Sequence, residues 1–189
     1  MYTNYTEDQL IPEANFTVYG PIVGKERAIP GKDKMYTPVA TRNYEAAIRK
    51  AYHDKYGDKI LVGSIVLIAK AYFPRPENAK NDDMWELMKT GVLRPTSRGA
   101  DCSNILKSVE DALNSNDYKR GAYPDDNLIC DSRCIRYFTD GEERLEIELR
   151  SINMDTWLKW HNTATDVVFR SKRSAQPYTT ESGAPENGE

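Results

Sequence analysis

The chain has 189 residues, of which 39% are hydrophobic, and its formal net charge is −3. No apolar run approaches the roughly 20 residues of a membrane-spanning helix, and the N-terminus lacks the basic and apolar regions of a secretion signal. These properties argue against a membrane partner, a secreted protein and a simple basic nucleic-acid coat protein. We expect a cytoplasmic protein that keeps its three cysteines reduced.

The first half of the chain alternates between strand and helix patterns. Residues 1–14 have the composition of a mobile N-terminal arm. Apolar periodicity and turn residues then predict, in chain order, a strand over 15–20, a basic loop over 25–34, a helix over 41–56 with Thr41 as its candidate cap, a buried strand over 59–72 and a short helix over 82–89.

The second half continues the alternation. It predicts a helix over 103–114, a strand over 127–138, a hairpin turn over 139–142, a strand over 144–150, a helix over 154–169 and a disordered tail over 171–189. The expected architecture is α/β (α+β). We expect one domain over 15–170 between the arm and the tail.

Polar residues that bear chemistry concentrate in residues 101–131. Asp101, Lys107 and Asp111 accompany the apolar stripe of the predicted 103–114 helix, and the pair Asp125-Asp126 follows it. Carboxylates crowded together repel one another unless a cation holds them, which is typical of a divalent-metal site. A lysine among them indicates that a phosphate group also binds there.

Each residue also has a purely structural interpretation. Asp101 or Ser103 is a natural helix N-cap, Asp125-Asp126 after a proline is a natural turn, and Asp111 is placed to pair with Lys107 one turn away. The combination favours chemistry, because a helix-turn-strand unit folds its two ends toward one surface. A metal held there would lower the pKa of an attacking water during phosphodiester hydrolysis, while Lys107 contacts the phosphate or orients the water.

The segment resembles the RusA-type Holliday junction resolvases. Their pattern is Asp-x-Asp-Asn-x-x-Lys-x-x-x-Asp-Ala-Leu, followed by an Asp-Asp pair and a strand with basic residues. Here it reads Asp101-Cys-Ser103-Asn104-Ile-Leu-Lys107-Ser-Val-Glu-Asp111-Ala-Leu113, then Asp125-Asp126. Weaker similarity extends over residues 15–150.

The resemblance implies a small mixed sheet packed on helices, a homodimer, and a Mg²⁺ cofactor that Mn²⁺ can replace. It also implies a four-way DNA junction as the partner, cut by paired symmetric nicks in recombination and repair, and an origin in a phage or prophage. Asp101 and Asp126 would be the principal metal ligands and act in catalysis with Lys107, and Asp125 and Asp111 would support them. The candidate DNA contacts are Lys25, Arg27, Arg98, Asn104, Arg133 and Arg136.

One position departs from the pattern. Ser103 stands where the family has its second aspartate, and a serine hydroxyl can ligate Mg²⁺ but adds no negative charge. We therefore keep Ser103 as a candidate ligand beside two alternatives. One is a junction-binding protein with weak or no cleavage activity. The other is an unrelated acidic domain that binds a protein partner, in which the acids serve as caps and turns.

Overall fold

A computed structural model describes residues 9–30, 35–77, 79, 82–96, 99–116 and 120–153. The strands are β1 (Leu10–Tyr19), β2 (Ile29–Pro30), β3 (Met35–Tyr36), β4 (Ile65–Pro74), β5 (Ile129–Thr139) and β6 (Arg144–Ile152), and the helices are α1 (Val39–Tyr56), α2 (Asp82–Lys89) and α3 (Cys102–Leu113). A short 3₁₀ helix, Asp126–Leu128, precedes β5.

Four strands form one mixed sheet in the order β1-β6-β4-β5. The central strand β4 pairs parallel with β5 and antiparallel with β6, and β1 closes the other edge antiparallel to β6. β2 and β3 form a separate two-stranded ribbon. The predicted α/β architecture with a small mixed sheet packed on helices is confirmed for the described residues.

The core lies between one face of this sheet and the helices α1 and α3. Alternate residues of β4 and β6 point to this face, as the two-residue period of a strand requires. In α3, Ile105, Val109 and Ala112 recur at the spacing that places them on one side of a helix, and all three are fully buried. Burying an isoleucine or valine side chain stabilises the fold by about 1.5–3 kcal/mol, so this stripe fixes which side of α3 faces the sheet.

Several predicted boundaries were wrong. β1 begins at Leu10 instead of Asn15, because the residues after Leu10 pair with the end of β6. The last residues assigned to the 1–14 arm therefore belong to the sheet. α1 begins at Val39, its N-cap position is Pro38, and Thr41 is buried within the helix instead of capping it.

Two connections also differ from the sequence prediction. β4 begins at Ile65, because Gly63 adopts a φ of +84° and Leu61 donates its backbone N–H to Ala122 instead of to a strand. Residues 139–142 are not a hairpin turn, since β4 lies between β5 and β6. The connection passes the end of β4, where Arg75 donates its backbone N–H to Thr139.

Some predictions lie outside the described residues. These are residues 1–8 of the arm, the helix over 154–169 and the tail over 171–189. The division into arm, domain and tail stays a prediction. None of the helices in the described part of the chain combines the length and the apolar character needed to cross a membrane.

Candidate functional site

The first turn of α3 is closed by Asp101. Its Oδ1 accepts the backbone N–H of Asn104 at 2.8 Å, and its Oδ2 accepts the side-chain Nδ2–H of the same residue at 2.9 Å. This is the N-cap interpretation of Asp101, in which a carboxylate satisfies a helix N–H that has no partner within the helix. Both carboxylate oxygens are engaged by Asn104, and Ser103 beside them is exposed.

The loop after β1 packs against α3 and is held there by hydrogen bonds. Lys25 donates its backbone N–H to the carbonyl of Asn104 at 2.8 Å, and Ser108 donates its hydroxyl to the carbonyl of Val23 at 3.1 Å. Gly24 allows this approach, since a Cβ built there would lie 2.6 Å from the Cβ of Ala100. Any side chain at Gly24 would push the loop away from the start of α3.

The Lys25 ammonium joins this loop to two helices. Its Nζ lies 2.6 Å from Oε1 of Glu45 on α1 and 2.5 Å from Oδ2 of Asp111 on α3. Burial lowers the pKa of Lys25, but the hydrogen bonds to Asp111 and Glu45 outweigh it, and the pKa is raised overall. Lys25 is therefore an ion-pair partner that Glu45 and Asp111 share.

A cleft of about 480 Å³ opens between the last turns of α3 and the start of β5. Three carboxylates and a hydroxyl are among its lining groups, which come from Glu110, Asp126, Asn127, Ile129, Cys130, Asp131 and Ser132. Asp126 is exposed as the first residue of the 3₁₀ helix. Asp131 is paired with Arg133 two residues along β5, with 2.8 Å between Oδ2 and Nη2.

Glu110 is the half-buried acid of this cleft. Burial raises the pKa of its carboxyl, and the neighbouring Asp126 and Asp111 raise it further, against the opposing effects of a hydrogen bond with Ser132 and of the Lys107 ammonium. Lys107 is exposed one turn before Glu110 on α3. The cleft therefore combines an excess of negative charge with one nearby solvent-exposed ammonium.

The predicted metal ligands occupy different surroundings. Asp101 is nine residues before Glu110, a separation of about 14 Å along a helix axis. Asp125 caps the 3₁₀ helix by accepting the backbone N–H of Asn127 at 2.8 Å. Within the described ranges, no three His, Cys, Asp or Glu residues lie close enough to hold a metal ion. The roles of Asp101, Ser103, Asp111, Asp125 and Asp126 as ligands stay predictions.

The donor chemistry of the cleft nevertheless suits a hard divalent cation. Glu110 and Asp126 supply carboxylate oxygens, the ligands that Mg²⁺ and Mn²⁺ prefer. Burial raises the pKa of Glu110 and repulsion from Asp126 raises it further, and a bound cation relieves such repulsion.

The predicted DNA contacts do not form one surface. Lys25 is held by Glu45 and Asp111, and Asn104 bonds to Asp101. Arg133 and Arg136 point to opposite faces of the sheet, because they pair with Ile68 and Ala71, three residues apart on β4. Arg27 is exposed, and Arg98 lies outside the described residues.

Sequence reasoning missed Glu110. Its signal was present in the sequence, since Glu110 lies three residues after Lys107 on the predicted helix, where the two side chains are neighbours. What the sequence did not show is that the side of α3 bearing Glu110 faces Ser132 and Asp126, whereas the adjacent Asp111 faces Lys25.

Comparison with known proteins assigns the chain to a family. Residues 20–150 match the family described as "Endodeoxyribonuclease RusA". The chain is also 29% identical over 143 residues to "Uncharacterized protein YqaN" of Bacillus subtilis strain 168, an alignment that covers 73% of this chain and 96% of that relative. The family match spans well over half of the chain and includes α3, the 3₁₀ helix and β5. The chain belongs to the RusA endodeoxyribonuclease family.

Proposed function

We propose that this protein is a divalent-metal-dependent endonuclease that resolves four-way DNA junctions, with a homodimer making paired symmetric nicks. The family is one of Holliday junction resolving endonucleases. The observation that carries the proposal within the chain is the cleft between α3 and β5, where Glu110 and Asp126 lie beside the exposed Lys107. An origin in a phage or prophage and action in the bacterial cytoplasm are parts of the same proposal.

Glu110 and Asp126 are the proposed holders of the cation at the cleft. When bound, Mg²⁺ or Mn²⁺ supplies positive charge that stabilises the transition state and lowers the pKa of an attacking water. Lys107 carries a compact ammonium on a flexible stem, which suits contact with a phosphate oxygen of the DNA backbone. Burial and the adjacent carboxylates hold the pKa of Glu110 above its ordinary value.

Asp101 and Ser103 are proposed to serve the site from the first turn of α3. Asp101 would hold the backbone of that turn in place through its two hydrogen bonds with Asn104. Asp125 would keep Asp126 in place through its cap on the 3₁₀ helix. Arg27, on the exposed part of the loop after β1, is the proposed contact with the DNA backbone.

The test is cleavage of a synthetic four-way junction with Mg²⁺, Mn²⁺ or Ca²⁺. The native chain is expected to nick two opposed strands with Mg²⁺ or Mn²⁺, and Asp126→Asn is expected to lose at least about a hundredfold in rate, within the range seen when one charged active-site group is removed. Asp140→Asn is the matched control, since Asp140 is an exposed acid in the turn after β5. Intact junctions with every metal, or equal rates in the two variants, would refute the proposal.

A second candidate function is junction binding without cleavage. It is favoured by Ser103 at the family's aspartate position and by the lack of a three-residue ligand cluster among the described residues. Under this alternative the native chain shifts a junction in a gel without nicking it, and Ser103→Asp restores nicking. A native chain that already nicks junctions would rule it out.

A further inference from the structure

Two cysteine side chains meet where α3 begins. Cys102 is the first residue of α3 and Cys134 lies in the middle of β5, 32 residues later in the chain. The thiol of Cys102 donates to the backbone carbonyl of Cys134 at 3.5 Å, and the two thiol groups are also in hydrogen-bonding contact with each other. Both residues are partly exposed.

The third cysteine has a different setting. Cys130 is exposed, and its thiol donates to the carbonyl of Ile65 at 3.3 Å. It sits at the irregularity in the β4–β5 register, where Ile65 pairs with Ile129 and Val66 with Asp131. Cys130 therefore provides an internal control for a thiol that is accessible but not part of the pair.

We propose that Cys102 and Cys134 form a redox modification site, in which a peroxide closes them into a disulfide bond that fixes the first turn of α3 to β5. Two neighbouring thiols can close into a disulfide where their Cα atoms lie about 4.4–6.8 Å apart.

The chemistry balances with hydrogen peroxide as the oxidant. Peroxide converts one thiol to a sulfenic acid and releases a water. The sulfur of the other cysteine then displaces the hydroxyl, which leaves as a second water, and the sulfur–sulfur bond forms. The two thiols lose two electrons and two protons, and one peroxide becomes two waters. A dithiol reductant reverses the reaction by thiol–disulfide exchange.

The bond would act on the neighbouring site, an effect that rests on the proposed function. Asp101 and Ser103 flank Cys102 in the first turn of α3. Closing the bond takes the Cys102 thiol away from the Cys134 carbonyl and ties this turn covalently to β5. We expect oxidation to lower junction nicking several-fold, and reduction to restore it.

The experiment treats the purified full chain with hydrogen peroxide and counts free thiols. The native chain is expected to fall from three thiols to one with loss of two hydrogen atoms in mass, and a digest should join the peptides of Cys102 and Cys134. The Cys130→Ser variant should fall from two thiols to none. Cys102→Ser and Cys134→Ser should form no intramolecular bond. The oxidised native chain should melt roughly 5 °C or more above the reduced chain.

The results of this experiment distinguish a failure of the Cys102–Cys134 pair from a failure of the proposed nuclease function. A joined peptide that contains Cys130, or oxidation only to sulfinic acid or to dimers linked by disulfides, would overturn the pairing. A bond that forms with unchanged nicking would overturn its effect on the cleft. A bond that forms in a chain that never nicks junctions would support the modification site and refute the nuclease proposal.

Discussion

Glu110 and Asp111 are consecutive in the chain, yet α3 turns them toward opposite electrostatic surroundings. Asp111 faces the loop after β1, where it shares the Lys25 ammonium with Glu45. Glu110 faces β5, where burial and Asp126 raise the pKa of its carboxyl. The ion-paired side holds the fold together, and the cleft side, where burial and Asp126 disfavour ionisation of Glu110, is where we propose that a cation and a phosphate bind. Acidic residues that are neighbours on one helix therefore have different proposed roles according to the segments that pack against them.

The strongest test of this contrast replaces the ammonium next to the cleft. Lys107→Met is expected to lower the rate of junction nicking by about a hundredfold or more, since a charged group that contacts the reacting phosphate is lost. Its thermal stability should stay close to that of the native chain, because Lys107 is exposed. Single-turnover nicking assays and melting curves measure the two effects. An equally active Lys107→Met variant would remove this lysine from the proposed site.

Removing the Lys25 ammonium, on the side of α3 that bears Asp111, should instead destabilise the fold. Lys25→Met removes the ammonium that pairs with Glu45, whose side chain is 11% exposed, and with Asp111. We expect the free energy of unfolding to fall by about 2–3 kcal/mol in chemical denaturation. Lys50→Met is the matched control, since Lys50 and Asp54 form an equally short pair on the exposed side of α1, and its cost should be about 0.5 kcal/mol or less. Equal losses in the two variants would contradict a structural role for Lys25.

Replacing Glu110 gives a pH-dependent test in which the substitution is expected to stabilise the fold instead of destabilising it. Because its pKa is higher in the folded chain than in the unfolded chain, the folded state binds a proton more tightly, and stability falls as pH rises through the folded pKa. Glu110→Gln removes this cost of ionisation, so it should melt above the native chain at pH 7. The difference should vanish near pH 4, below the ordinary pKa of a glutamate.

A divalent cation should reduce the same cost of ionising Glu110 in the folded chain. Mg²⁺ or Mn²⁺ is expected to raise the melting temperature of the native chain more than that of Glu110→Gln, because a bound cation relieves the repulsion among the cleft carboxylates. Calorimetric titration of each protein with Mn²⁺ checks the binding directly. The same affinity in both proteins would exclude Glu110 as a ligand.

The smallest expected effect concerns Arg27. This exposed arginine lies two residues beyond Lys25 and outside its ion-pair cluster. Arg27→Ala should weaken junction binding by a few fold and reduce the slope of log affinity against log salt by about one, as expected when one phosphate contact is lost. Stability should not change. Binding at several salt concentrations measures the slope, and an unchanged slope would place the DNA elsewhere.

Much of the fold could be predicted from the chain alone. The buried stripe of α3 and the alternation of Leu145, Ile147 and Leu149 in β6 are confirmed, because local periodicity reports which side of an element is buried. The strand start at Leu10 and the place of β4 between β5 and β6 could not be predicted. Both depend on which strands pair, and pairing partners are not encoded in local periodicity.

The candidate site also has a part that the sequence predicts and a part that only the tertiary structure shows. By itself, the sequence determined the helix that carries Asp101, Lys107 and Asp111, the acidic pair after it and the family to which they belong, since these follow from residue type and spacing. Only the tertiary structure decided that Lys25 pairs with Asp111, that Glu110 shares a cleft with Asp126, and that Cys102 meets Cys134. Helical spacing sets which residues share a side, but the charge and chemistry of that side come from segments distant in sequence that pack against it.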